Sequence, residues 1–194
     1  MLGRFNCTDA AGRIGQFGVV IGLVKYLLAI FALAVIAAVA AWNLWPSTPL
    51  PPGTKADLVV VHKTARRLEL YRGSELLKAY QVSLGRHPIG TKTQQGDGRT
   101  PEGDYRLDYR NPTSSFYKAL HISYPEPADI SSARSRNIDP GGLVMVHGMM
   151  NGFGWIGRLH RVIDWTDGCV AVTNNEIDEI WAAVPDGTKI VLEP

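Results

Sequence analysis

Gly141–Gly148 reads GGLVMVHG and Asp164–Val172 reads DWTDGCVAV. Each is a short apolar run, rich in β-branched residues and bounded by glycine, the pattern of a buried strand. The first run ends on His147-Gly148 and the second starts directly after Gly168-Cys169. A histidine and a cysteine so placed are the minimal machinery of thiolate acyl transfer, in which the imidazole takes the thiol proton and the sulfur attacks a carbonyl. Glycine beside the nucleophile lets a carbonyl approach the backbone, whose N–H groups stabilise an oxyanion. Both residues also have a plain structural reading. Cysteine is among the most buried residue types, and a histidine at a strand end is commonly a capped or surface one.

Working outward, Leu58–His62 (LVVVH), Arg67–Tyr71 (RLELY) and Leu76–Gly85 (LLKAYQVSLG) read as strands separated by a turn at Arg72-Gly73-Ser74, an antiparallel meander. Arg86–Gly103 is polar and glycine-rich with no apolar period, so it is a long loop, and loops of that length carry function or move. Short strands follow at Tyr105–Asp108, Leu120–Ser123 and Leu143–His147. Thr173-Asn-Asn-Glu176 is a capping box, and Ile177, Ile180, Trp181 and Val184 form one apolar helix face behind it. Pro185-Asp-Gly187 ends that helix, and Lys189–Leu192 is a last strand. The expectation is a mostly β domain over residues 57–194, with one or two short helices.

Ahead of it, Tyr26–Trp45 is free of charge and apolar on every face, and the apolar run reaches back to Gly18 across Lys25. About 20 helical residues cross a hydrocarbon core of roughly 30 Å. Trp42 and Trp45 suit an interfacial belt and Pro46 stops the helix. We read 1–17 as a cytoplasmic N-terminus, 18–45 as a transmembrane helix or signal anchor, and 46–56 as a Pro-rich linker. A cleaved signal peptide is the other reading, because Ala38-Val39-Ala40 is an acceptable cleavage site. Arg4, Arg13 and Lys25 precede the helix, which places the N-terminus in the cytoplasm and the following domain outside it. Cys7 and Cys169 then lie on opposite sides of the membrane and do not pair.

The formal charge of +2 over 194 residues is carried by the N-terminal 45, and the remainder is balanced. That balance leaves no electrostatic footprint for nucleic acid. Two cysteines exclude a disulfide-dense scaffold and a four-cysteine zinc site. The five histidines show no H-x-x-x-H spacing, so no metal or other cofactor is expected. His160, between Arg158 and Arg161, reads as part of a solvated basic turn, with a place in the cleft as the alternative.

His147-Gly148 at a strand end, a spacer, and then Thr166-Asp167-Gly168-Cys169 together resemble the signature of the L,D-transpeptidase (YkuD-type) catalytic domains of bacterial cell-wall enzymes. Val82–Tyr105 resembles that family's N-terminal half. The resemblance spans roughly 57–193 and implies an L,D-transpeptidase-like β-sandwich with Cys169 as nucleophile, His147 as base and the backbone at Gly148 orienting the histidine. Gly148, Gly168, Asp167 and Thr166 are the implied residues that contact substrate, serve the oxyanion or orient the pair. The implied partner is a peptidoglycan stem peptide: the thiolate attacks the L,D bond after its third residue, and the acyl group passes to an amine or to water. Two positions depart from the family pattern. Asp167 replaces the usual histidine; it raises the thiol pKa if it faces sulfur and supports an imidazolium if it faces His147. Ala171 stands where many members carry arginine. A sortase would need an arginine after Cys169, and none follows. A peptidoglycan cysteine peptidase or hydrolase, acting on stem peptides, crosslinks or attached proteins, and a catalytically silent wall-binding module are the remaining alternatives. The implied location is the bacterial cytoplasmic membrane, with a single pass and the catalytic domain in the periplasm or cell-wall space.

Overall fold

The computed structural model describes residues 8–45 and 47–194, so Cys7 and Pro46 lie outside the described residues. The chain divides after Trp45 into two compact units. The first is the helix α1 (Thr8–Leu44), which begins before residue 18, within the stretch read as a cytoplasmic N-terminus. Its Gly22–Leu44 portion is 23 residues long with a mean hydropathy of 2.5. Leu27, Phe31, Leu33 and Ile36 are all exposed, so the helix is apolar all round, the pattern of a lipid-facing helix or signal segment.

The second unit is built on one sheet. Among the described residues it has eight strands in the order β3-β2-β1-β8-β4-β5-β6-β7. These are β1 (Leu58–His62), β2 (Arg67–Arg72), β3 (Glu75–Gln81), β4 (Gly103–Ser114), β5 (Tyr117–Ile122), β6 (Met145–His147), β7 (Val170–Ala171) and β8 (Thr188–Glu193). The expected meander is present, with β1, β2 and β3 paired antiparallel. The C-terminal strand β8 inserts between β1, to which it is parallel, and β4, to which it is antiparallel. Val59, Val60 and Val61 of β1 are all buried, as a continuous β-branched run in a central strand must be. The mostly β architecture takes the form of one curled sheet. Beyond β3 the chain turns along the far edge, where Ser83 and Ala171 of β7 exchange both backbone hydrogen bonds, at 3.0 and 2.8 Å. The two ends of the sheet are thereby joined.

Helix α3 (Asn174–Ala183) opens on the expected capping box: the Thr173 hydroxyl accepts from the Glu176 N–H, and the Glu176 carboxylate accepts from the Thr173 N–H at 3.0 Å. Ile177, Ile180 and Ala183 face the core with Leu68, Leu70, Ile122 and Ile190. Several elements differ from the sequence expectation. β4 and β5 run on to Ser114 and from Tyr117 as a two-stranded ribbon, whose polar residues hid the strand pattern. Helix α2 (Pro127–Ser135) starts with Pro127 in its first turn, and Asp129 accepts from the Glu126 N–H. β6 covers only Met145–His147, because Leu143 sits at φ +55° and is exposed. A 3-10 segment, Gly154–Val162, breaks at Gly157, too irregular for a helical period to show. The Pro-rich stretch packs on its own domain: Leu50 touches the core, and the Ala56 N–H donates to the Ala183 carbonyl at 2.9 Å.

The long loop is folded on itself. The Asp97 carboxylate accepts from the N–H groups of Thr93 (2.8 Å), Gln94 (3.1 Å) and Arg99 (3.0 Å), and those bonds hold its carboxyl below the usual carboxylate range despite burial. Lys63, almost fully buried, donates to the carbonyls of Gly90 and Thr100 and to Glu102, which fastens the loop to β1.

Candidate active site

β6 and β7 pair in parallel, with Val146 opposite Val170 and His147 opposite Ala171. Both valines are fully buried. Alternation therefore turns Met145, His147 and Cys169 to the other face, where they share a cleft of about 310 Å³. The β4–β5 hairpin supplies the opposite wall, including Asn111, Thr113, Ser114 and Phe116. The pair singled out from sequence is thus brought together by strand register.

His147 is 3% exposed. Its Nδ1 lies 2.6 Å from the Gly148 carbonyl oxygen, an acceptor, so Nδ1 carries the proton and Nε2 keeps its lone pair. Phe116 packs on the ring at 4.7 Å between centroids, and Trp165 meets it edge-on at 5.8 Å. These aromatic walls lower the histidine pKa to about 4 by desolvation, against the opposing effect of the Gly148 carbonyl. The imidazole is therefore neutral at neutral pH. Gly148 has no room for a side chain: a Cβ would stand 2.8 Å from Asn174 Oδ1, the oxygen that accepts from the Met149 N–H.

Cys169 is the one cysteine among the described residues, and it is unpaired. The Met145 N–H points at its Sγ at 3.4 Å. Burial pushes the thiol up to about 11; the Met145 N–H pulls it down, Asp167 pushes it up, and Lys92 pulls it down. With the histidine near 4 and the thiol near 11, the resting pair is neutral thiol and neutral imidazole. A neutral imidazole beside a neutral thiol has the protonation state in which general-base proton transfer is available and a standing ion pair is absent.

Thr166 closes the turn before Cys169, donating to the Cys169 carbonyl at 2.8 Å and accepting from the Gly168 N–H at 3.1 Å. That second bond commits the Gly168 N–H and removes it as an oxyanion donor. Gly168 sits at φ +131°, and a Cβ there would meet the Arg99 carbonyl at 2.5 Å, so only glycine fits. Asp167 faces neither partner; it is mostly exposed and paired with Arg86. Ala171 is fully buried between Ser83 and the sheet, so its position could hold no arginine without rebuilding that packing.

His160 is not on a solvated turn. It is 5% exposed, its Nδ1 is 3.1 Å from Ser83 Oγ, and the Ser83 hydroxyl donates to the His160 carbonyl at 2.9 Å. Its neighbour Arg161 is half-enclosed in a double hydrogen bond with Glu176, at 2.6 and 2.7 Å. Together these bonds draw the segment inward. Sequence reasoning passed over Phe116, Trp165 and Asn174. Trp165 stands within the quoted DWTDGCVAV and was legible there; Phe116 lies at a turn with no period to reveal it.

The model of the YkuD family, the L,D-transpeptidase catalytic domain, matches residues 56–192. The chain belongs to that family. YafK of Escherichia coli strain K12, provisionally named an L,D-transpeptidase, is 30% identical over 132 residues, covering 65% of this chain and 46% of YafK. Among solved structures, the helical cell shape determining protein Pgp2 of Campylobacter jejuni superposes with a TM-score of 0.56 at 23% identity, covering 79% of this chain and 53% of Pgp2. A point variant of Pgp2 gives the same TM-score at 24% identity, over 74% of this chain and 48% of its own. The chain spans about half the length of these relatives, and the likeness to Pgp2 establishes the fold.

Proposed function

We propose that the domain is a peptidoglycan acyltransferase that works through a Cys169 acyl-enzyme, and that α1 anchors it in the cytoplasmic membrane with the domain on the cell-wall side. The observation that carries this reading is the placement of Cys169 and His147 on one face of the β6–β7 pair, in one cleft, with His147 Nε2 free to accept a proton. Thiol attack on the L,D amide of a stem peptide forms the S–C bond as the thiol proton moves to Nε2. The C–N bond then breaks and the imidazolium protonates the leaving amine, D-alanine for a tetrapeptide donor. An acceptor amine or water, deprotonated by the same imidazole, attacks the thioester and frees sulfur. Thr166 and Gly168 hold the turn, Gly148 orients the base, and Asp167 stays outside the reaction.

A hydrolase remains as a second reading on one observation: the cleft lining is neutral, its wall from Asn111 to Ser115 offering amide and hydroxyl groups but no charge to select an amine over water. The test is mass analysis of purified muropeptides incubated with the full-length Cys7→Ser chain in detergent. New 3–3 linkages support transpeptidation, shortened tripeptides a carboxypeptidase, and lost crosslinks an endopeptidase. Unchanged muropeptides from a folded protein would contradict every enzymatic version and favour a wall-binding module.

A further inference from the structure

The exposed apolar side chains of the domain are not evenly spread. Met150, Phe153, Trp155, Val162 and Ile163 stand in one short stretch around the 3-10 segment, 45–74% exposed, whereas Leu76, Ile89, Tyr109, Ile130 and Leu143 are scattered along the chain. Met150, Phe153 and Ile163 also line an apolar groove of about 390 Å³ with Ile156 and Leu159. Apolar surface gathered in this way marks a contact with a protein or a membrane. Gly154–Val162 contains Arg158 and Arg161 and no acidic residue. Tryptophan and arginine on an apolar segment are the composition of a membrane–water interface.

The linker favours the membrane as occupant. Trp45 ends the apolar run, and Thr48, three residues on, already belongs to the domain: its carbonyl accepts from Lys78 Nζ at 2.7 Å. Three residues reach at most roughly 11 Å. Further along, Leu50 lies beside Glu179 and Ala182, and Lys55 Nζ donates to the Ala182 carbonyl at 2.6 Å. The linker is thus strapped to the C-terminal half of α3. The first turn of the same helix holds the apolar segment. Glu176 accepts both Arg161 bonds, and a Cβ on Gly154 would stand 2.6 Å from Asn174 Nδ2. Helix α3 has ten residues, so linker and apolar segment dock within roughly 15 Å of each other on one helix.

We propose that the Met150–Ile163 surface is a second membrane contact of this chain: Phe153, Trp155, Val162 and Ile163 enter the interfacial layer of the bilayer that α1 anchors. A tether this short keeps the domain at the lipid surface, and the apolar segment is the part of it beside the tether that gains by leaving water. The inference rests on the anchor reading of α1 and is independent of the reaction at Cys169.

The test uses the full-length chain with Cys7→Ser and Cys169→Ser, reconstituted into phosphatidylcholine–phosphatidylglycerol vesicles and floated on a density gradient. A bimane label is placed at Val162→Cys or, as the control, at Ser131→Cys on the exposed side of α2. Fluorescence is compared between vesicles with and without acyl-chain bromine. The Val162 label loses about half its fluorescence or more to bromine, as a group buried roughly 5–10 Å into the interface does, and the Ser131 label loses little. Phe153→Ser with Trp155→Ser brings the Val162 label down to the control level. Both side chains are exposed, so the double variant keeps the fold. A floating chain whose Val162 label is quenched no more than the control overturns the proposal and leaves the anchor standing. Quenching that survives the double variant is driven by the label and overturns it too. A label untouched by bromine that self-quenches between copies seats a second chain on this surface and also overturns it. A chain that does not float with the vesicles removes the anchor reading and the proposal together.

Discussion

His147 and His160 lie in neighbouring regions, one at the end of β6 and one in the 3-10 segment, with Trp165 edge-on to both. Burial lowers the pKa of each to about 4. Yet one has the geometry of a base and the other that of a bracket. His147 gives Nδ1 to a carbonyl of its own strand end and lines the cleft together with Cys169. His160 engages Ser83, the residue that joins the sheet's two ends, and its Nε2 is buried without a partner. A perturbed histidine is thus not a functional one; the nitrogen left over and what it faces make the difference.

The comparison breaks first if the two histidines are interchangeable. His147→Ala lowers turnover by about 10² to 10⁴, the usual loss for a general base, in protein that is still folded at the assay temperature despite the lost packing of a buried ring. His160→Ala lowers turnover far less but costs about 1–3 kcal/mol of stability, because it removes a buried ring and its Nδ1 hydrogen bond to Ser83 Oγ. Steady-state rates and urea melts on the two variants decide it, and equal losses of rate would mean the base is misassigned.

A second prediction sharpens the account through pH. Two groups lowered to about 4 and raised to about 11 leave kcat/KM flat between about pH 5.5 and 9, with no limb near the ordinary histidine value. A limb near pH 6.5 would show that His147 is not held below its ordinary value. Stability moves differently. The unfolded chain takes protons on both histidines near pH 6.5, whereas the folded one takes them near 4, so stability is lost as pH falls through that window. Glu176, held low by Arg161 and the Thr173 bonds against its burial, and Asp97 extend the loss below their ordinary carboxylate values. Melting temperature against pH checks this, and His160→Ala should flatten the upper part of the slope.

The smallest effect belongs to Asp167. Its carboxylate faces solvent and Arg86, so Asp167→Asn lowers the thiol's alkylation midpoint slightly and changes turnover by about twofold or less, the scale of an exposed, screened charge. A large loss of activity would place it in the reaction after all.

What could be read from the sequence follows from where local pattern and tertiary register coincide. The meander, α3 with its cap, and the Cys–His pair each carry their signal within a few residues. The ribbon of β4 and β5, α2 and the 3-10 segment do not, because their polar residues face water or their geometry has no period. His160 misled because Arg158 and Arg161 on either side suggest solvent; the Ser83 and Glu176 bonds that draw its segment inward come from residues 77 and 15 positions away in the chain. Asp167 could not be oriented from sequence for the same reason, since Arg86 reaches it across the fold.

The central claim is that Cys169, activated by His147, accepts an acyl group in this cleft. Members of the L,D-transpeptidase family are acylated by carbapenem β-lactams at their cysteine, and a strained amide carbonyl is a direct probe of that chemistry. Intact-mass analysis of the full-length Cys7→Ser chain in excess carbapenem is the most direct measurement. The account predicts one added carbapenem on the parent protein, none on Cys169→Ala, and slower but complete addition on His147→Ala; a folded parent protein that stays unmodified, or an adduct that persists in Cys169→Ala, would contradict it.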